Sequence, residues 1–174
     1  MIMRIILFLI LLCSSIYINA QQAFPQSWEG KWRGQLKWYK TGKAEPQEVN
    51  MELRIHPTDS INTWTWQIIY GDATKDNRPY FLTCKDSSKI HWQINENNGI
   101  ILDQFWLADK LSGAFTVQNS TIINNYWMED DKLIVEFYNI SVKPIATTGG
   151  TKDSPPVDSY KVASYQKAVL LRQK

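Results

Sequence analysis

The sequence predicts an all-β protein, folded as a single antiparallel up-and-down β-barrel of about eight to ten strands. Three observations carry this prediction. Apolar and polar residues alternate with a period of two along most of the chain, as they do in half-buried strands. Short polar turns separate the alternating segments. A meander of this length tends to close on itself, because closure removes its exposed edges.

The first predicted strand shows the alternation most clearly. The segment 28–39 reads WEGKWRGQLKWY, with three tryptophans and two glycines on one face and mostly charged residues on the other. The inward row of a small barrel needs this mixture, because glycines allow strands to bend or approach beside bulky rings. The alternative is one strand of a β-sandwich, whose tryptophans would pack on an opposing sheet.

Nine further strands are expected along the chain, and no internal repeat or second domain is visible. A loop over 142–156 is predicted before the last strand, which falls within 158–173. The other eight segments cover 49–56, 64–70, 78–85, 89–96, 100–108, 111–118, 121–128 and 132–140.

The first 20 residues are typical of a secretory signal peptide. Arg4 precedes an apolar run over 5–12, and small and polar residues follow as far as Ala20. We expect cleavage after Ala20, which leaves 21–174 as one domain in a secreted or periplasmic protein. A lipid anchor at Cys13 is disfavoured, because Leu12 occupies a position where such sites want a small residue.

Charge and cysteine content restrict the partners. Without 1–20, the chain carries 18 basic and 17 acidic residues, and this balance predicts no nucleic-acid partner. No second apolar run approaches the length of a membrane span. Cys84 is then the one remaining cysteine, so an internal disulfide is impossible and a hydrophobic core must stabilise the fold. The eight tryptophans suit that demand.

The start of the first strand resembles a known family. Trp28-Glu29-Gly30-Lys31-Trp32 is similar to the Gly-x-Trp opening of the lipocalin-like (calycin) barrels. The resemblance implies that Trp32 closes one end of the barrel and that Arg172, near the C-terminus, stacks on it. The stretches RPYFL, NNGIILDQF and TTGG, with the terminal QKAVLLR, also resemble small secreted bacterial proteins of unassigned function.

Aromatic residues from many strands give the functional prediction. If they point inward, they line an apolar pocket in which phenol and indole groups serve as polar handles. We therefore expect a protein that binds a small, largely hydrophobic ligand inside the barrel. The alternative is that the rings fill the interior completely. The candidate ligand-binding residues are Trp64, Trp66, Tyr70, Arg78, Tyr80, Trp92, Phe105, Phe115, Trp127 and Phe137.

Two carboxylates interrupt apolar runs, Asp103 in IILDQFWL and Glu136 in LIVEFY. A carboxylate on a buried face needs a partner, for which Arg78 or Arg54 is available, and it could then orient a ligand. The alternative places both carboxylates on the outward face.

The sequence offers little catalytic chemistry. A two-residue turn at Ser87-Ser88 would put Cys84 opposite His91 as a thiol–imidazole pair, whereas a three-residue turn would put Cys84 opposite Ile90. His56 and His91 have no second metal ligand near them in the sequence. We predict a protein that is not an enzyme and that holds no metal or cofactor.

The sequence is also compatible with two other functions. One is a carbohydrate-binding β-sandwich, in which Trp64 and Trp66 would lie on a solvent face as stacking platforms. The other is a non-catalytic interaction domain of the bacterial envelope, with a protein partner and no small ligand.

Overall fold

The computed structural model describes residues 23–174, so the predicted signal peptide at 1–20 lies outside the described residues. In this part of the chain the one helical element is a short 3-10 turn at Gln26–Trp28, and all other regular structure is β. The strands are β1 Gly30–Lys40, β2 Gln47–Ile55, β3 Thr63–Tyr70, β4 Asn77–Cys84, β5 His91–Asn95, β6 Ile101–Leu107, β7 Lys110–Val117, β8 Ser120–Glu129, β9 Lys132–Thr148 and β10 Val157–Arg172.

The ten strands form one closed antiparallel barrel. Each strand pairs with its neighbour in the chain, and β1 also pairs with β10. That closing register runs from Trp32 opposite Arg172 to Lys40 opposite Ser164. The predicted up-and-down barrel is therefore confirmed, and the alternative β-sandwich is wrong.

The alternation in β1 separates the inside of the barrel from the outside. Trp32 and Leu36 are buried, whereas Lys31 and Arg33 are exposed. Gly34 lies on the inner face, where β1 approaches β10 closely. A Cβ atom at this position would lie 2.1 Å from the Val169 carbonyl oxygen, a distance that real side chains do not reach. The glycine is therefore required by the contact between the two strands.

Side chains fill most of the interior. Buried indoles dominate this core, and each fully buried aromatic side chain removes roughly 150–250 Å² from water. Cys84 is a free thiol, so packing stabilises the described part of the chain without help from a disulfide. The largest fully buried apolar side chains of this core are Trp32, Trp66, Trp92, Met51, Leu53, Ile55, Leu82, Leu111, Leu133 and Leu170.

One end of the barrel is closed around Trp32, and a wide cleft of about 1240 Å³ lies at this end, lined by Trp28, Trp32 and Arg172 among others. The Trp32 indole Nε1 donates a hydrogen bond to the Trp28 carbonyl at 2.8 Å. The Arg172 guanidinium lies 4.2 Å from the centroid of the Trp32 ring. The same guanidinium donates to the Ser27 carbonyl at 2.7 Å and to the Glu29 carbonyl. The contact between Trp32 and Arg172 that the sequence resemblance implied is thus present.

The predicted loop at 142–156 is wrong over most of its length. β9 continues to Thr148 and β10 begins at Val157, so only 149–156 connect them. β8 stops pairing with β9 at Ser141, and β1 stops pairing with β10 at Ser164. The segments 142–148 and 157–163 therefore form a two-stranded ribbon, which we call the β9–β10 ribbon.

Candidate functional site

The barrel interior opens at the end opposite Trp32. A cavity of about 540 Å³, here called the mouth cavity, lies between the last inward side chains of β1 and the facing strands. Ligand pockets in proteins commonly measure about 300–1,000 Å³. The residues that line the mouth cavity are Leu36, Trp38, Gln47, Glu48, Val49, Tyr70, Asp76, Arg78, Phe115, Ile122, Phe137, Tyr138, Asn139 and Gln166.

A smaller space of about 90 Å³, here called the inner chamber, lies deeper in the barrel. The mouth cavity and the inner chamber share Tyr70, Arg78, Phe115 and Phe137 in their walls, so they meet at these four side chains. The inner chamber is also lined by Trp66, Ile68, Tyr80, Ile94, Glu96, Leu102, Gln104, Asn124 and Tyr126.

A buried amide pair forms part of the floor of the inner chamber. The Asn124 amide nitrogen donates to the Gln104 carbonyl oxygen at 2.6 Å, and the return bond from Gln104 measures 3.4 Å. Gly113 makes room for this pair, because a Cβ atom there would lie 2.2 Å from the Gln104 amide nitrogen. Beside them Tyr126 packs edge-on against Trp66, with ring centroids 5.0 Å apart. The barrel is filled below this level.

Arg78 brings a charge to the junction of the two spaces. Its Nε and Nη2 atoms donate to the two carboxylate oxygens of Asp76 at 2.8 and 3.0 Å. The guanidinium carbon lies 4.7 Å from the centroid of the Tyr70 ring. The hydrogen bond to Asp76 raises the pKa of Arg78 further above its ordinary value. Arg78 is therefore a permanent cation whose best donor pair is already occupied.

The phenols of this region remain neutral at ordinary pH. Burial raises the pKa of Tyr70 to about 12. Burial also raises the pKa of Tyr126 well above its usual range. The pKa of Tyr80 is raised by burial and then by the negative charge of Glu96. The walls therefore offer uncharged hydroxyl groups next to aromatic faces.

Six of the ten predicted ligand-binding residues meet at this end of the barrel: Trp66, Tyr70, Arg78, Tyr80, Phe115 and Phe137. Trp64 and Trp92 also point inward, but they are buried with Phe24 and Trp28 in the core. Their ring centroids lie 5.9 Å apart, and Phe24 packs against Trp92 at 4.9 Å.

Phe105 and Trp127 lie on the outer face, so the prediction that they line the interior is wrong. Phe105 is 44% exposed and stacks on His91 outside the barrel. The Lys110 ammonium lies 4.1 Å from the centroid of the Trp127 ring. Each of the two residues adjoins another aromatic residue in the chain, Trp106 and Tyr126 respectively. Because neighbours in a strand face opposite ways, only one of each pair can point inward.

Sequence reasoning missed several residues of the site. Trp38 and Val49 belong to alternating rows that were already visible in the sequence, so parity alone would have placed them inside. Gln104 lies between the inward residues Leu102 and Trp106, and the same argument would have identified it as a buried amide.

Cys84 and His91 do not meet. Cys84 pairs with Trp92, so neither His91 nor Ile90 is its partner. The Cys84 thiol donates to the Asp86 carbonyl at 3.1 Å. His91 lies on the opposite face, where its Nε2 atom is 2.8 Å from Asp103 Oδ1. This register separates the proposed thiol–imidazole pair across the sheet.

Asp103 and Glu136, the carboxylates that interrupt apolar runs, both face outward, as the alternative interpretation of the sequence predicted. Hydrogen bonds from Gln93 and His91 lower the pKa of Asp103. Glu136 accepts a hydrogen bond from the Tyr165 hydroxyl and lies 3.6 Å from the Lys167 ammonium. Neither carboxylate is available to orient a ligand inside the barrel.

Among residues 23–174, no three His, Cys, Asp or Glu side chains are arranged to hold a metal ion. Over the same range, no helix has the length and apolarity needed to cross a membrane.

The ten-stranded up-and-down barrel is compatible with a lipocalin-like fold. Comparison with protein-family models and with curated proteins finds no match to this chain. The functional argument therefore depends on the geometry of the mouth cavity and the inner chamber.

Proposed function

We propose that this protein is a non-catalytic, lipocalin-like binding protein, secreted or periplasmic in a bacterium, that holds a small and largely apolar molecule at the open end of its barrel. The mouth cavity carries this proposal. It combines a volume in the range of ligand pockets with aromatic and aliphatic walls and a few polar groups, which is the usual composition of such sites.

The closed and filled part of the barrel supports the same proposal. Trp32, Trp66 and Trp92 have almost no exposure, so the core can stabilise the fold without the open end being filled. A ligand would enter beside Trp38 and Val49, and its apolar part would contact Phe115 and Phe137. The inner chamber is too small for a whole ligand and would accommodate only its tip.

A pair of adjacent residues on β8 provides a direct test. Ile122 lines the mouth cavity, whereas Ile123 points outward beside Tyr138. We expect Ile122→Trp to fill the cavity and to weaken binding of the neutral fluorescent probe N-phenylnaphthylamine by about tenfold or more. Ile123→Trp adds the same side chain outside and should leave the affinity unchanged.

Fluorescence titration of the three proteins gives the dissociation constants, and thermal unfolding confirms that both variants are folded. Wild-type protein that does not bind the probe, or equal binding by both variants, would contradict an interior site.

The β9–β10 ribbon favours a second function, that of an envelope interaction domain with a protein partner. Beyond Val142 and Val162, neither outer edge of the ribbon pairs with another strand of the described chain, and Ile145 and Val157 are more than half exposed. Exposed strand edges are common sites of pairing with another chain. Cross-linking from the ribbon in the native host tests this function; a ribbon that yields no cross-linked protein would rule it out.

The carbohydrate-binding alternative loses its basis. It required Trp64 and Trp66 on a solvent face, but their side chains are 8% and 0% exposed inside a closed barrel. They cannot stack on a sugar in this structure.

A further inference from the structure

The charges around the site are mainly negative. Four charged side chains line the mouth cavity and the inner chamber: the acids Glu48, Asp76 and Glu96, and the base Arg78. An entering ligand therefore meets three carboxylates and one guanidinium.

The single cation is already neutralised. Asp76 binds Arg78 side-on through both carboxylate oxygens, the strongest geometry for this pair. The flat face of the guanidinium lies over Tyr70. A carboxylate on a ligand would have to displace Asp76, or bind to the remaining donors with the negative charge of Asp76 close by.

The remaining charges near the site do not supply a free cation for an anionic ligand. Glu48 lies 3.2 Å from the Lys37 ammonium, which partly offsets its charge. Glu96 lies deeper, and its charge contributes to the raised pKa of Tyr80. The nearby ammonium of Lys40 lies over the Trp38 ring and lines a separate cleft with Lys43. The potential that a ligand meets is therefore neutral to negative.

We propose that the site selects apolar molecules whose polar end is an alcohol or an amine, and disfavours the carboxylate of the same chain length. An anion loses hydration on entry and finds no free cation in return. An alcohol can hydrogen-bond to the tyrosine hydroxyls, and an ammonium gains from the negative charge of Glu96 and from the aromatic faces. This selectivity rests on the proposed ligand-binding function.

The test compares decan-1-ol, decylamine and decanoate, which share one chain and differ in the polar end. Each compound is titrated in competition with N-phenylnaphthylamine bound to the wild-type protein, at neutral pH and low salt. The concentrations stay below those at which the decyl compound aggregates. We expect the alcohol and the amine to bind about tenfold or more tightly than the carboxylate. Decanoate that binds as tightly as decan-1-ol would overturn the proposal.

A variant identifies the cause of the selectivity. Asp76→Asn removes one negative charge and frees Arg78, so decanoate should bind about tenfold more tightly and decylamine more weakly, with decan-1-ol unchanged. Asp59→Asn is the matched control, because Asp59 is an exposed acid that lines neither space and its substitution makes the same change in net charge. It should leave all three affinities as they are.

The outcomes separate this proposal from the one on which it rests. If the wild-type protein binds neither the probe nor any decyl compound, the ligand-binding function itself fails and the selectivity fails with it. If the compounds bind but Asp76→Asn leaves their relative affinities unchanged, the binding function stands and the charge argument is wrong.

Discussion

The two ends of the barrel are built from similar residues but have different structures. At the closed end, Trp32 has a hydrogen-bond partner for its indole and a cation stacked on its ring, and it has no exposure. At the open end, Trp38 belongs to the same inward row of β1, but it lines a cavity and its indole nitrogen has no partner among the described residues.

This difference shows that an inward position does not determine a residue's role. Trp32 contributes to the core, whereas Trp38 forms part of the wall of a space that the protein leaves open. The same contrast holds for the arginines, because Arg172 closes one end through backbone carbonyls and Arg78 remains beside the mouth cavity with Asp76.

The largest expected effect is on stability at the closed end. Trp32→Ala leaves a large cavity and should lower the free energy of unfolding by about 3–5 kcal/mol. Trp38→Ala, on the same strand and face, should cost less than about half of that, because the site is already open. Urea unfolding of both variants measures the two values, and equal losses would contradict the distinction between the two ends.

An intermediate effect is expected at the floor of the inner chamber. Gln104→Leu leaves the buried Asn124 amide without its partner and should cost about 1–3 kcal/mol. The double variant, Gln104→Leu with Asn124→Leu, should recover much of this loss, because no unpaired polar group remains. Urea unfolding of Gln104→Leu, of Asn124→Leu and of the double variant tests this, and additive losses would show that the amide pair is not a coupled unit.

The smallest effect is on the pH dependence of stability. Because the pKa of Tyr70 rises from about 10 when unfolded to about 12 when folded, the contribution of its neutral form is fully present below pH 10. That contribution is lost as the pH rises from about 10 to 12, and the loss amounts to about 1 kcal/mol by pH 11 and about 3 kcal/mol once both pKa values are passed.

Tyr70→Phe removes this one titration. Unfolding free energies measured at several pH values between 8 and 11 should therefore fall less steeply for the variant than for the wild type. Identical slopes for the two proteins would show that Tyr70 does not titrate with a raised pKa.

The sequence predicted the barrel and the two faces of β1, because these follow from local alternation, whereas the contact between Trp32 and Arg172 was implied by the resemblance to lipocalin-like barrels. It did not separate Phe105 from Trp106 or Trp127 from Tyr126. Where two aromatic residues adjoin, alternation becomes ambiguous, and the pairing register with neighbouring strands decides which residue faces inward.

The site was predicted less completely than the fold. Parity places Trp64 and Tyr70 on the same inner face, but it does not show that one belongs to the filled core and the other to the mouth cavity. That distinction depends on height along the barrel and on the volumes of side chains from all ten strands. Arg78 and Asp76 are two positions apart, so their pairing is local in the sequence. Its effect on a ligand depends on Tyr70 and Glu96, which only the folded barrel brings close to it.

The most direct test of the central claim is native mass spectrometry of the protein purified from its own host. The proposal predicts that the wild type and Ile123→Trp carry a small molecule that is released on unfolding, and that Ile122→Trp carries none. A wild-type protein with only its own polypeptide mass, or an equal amount of the molecule on Ile122→Trp, would contradict a ligand in the mouth cavity.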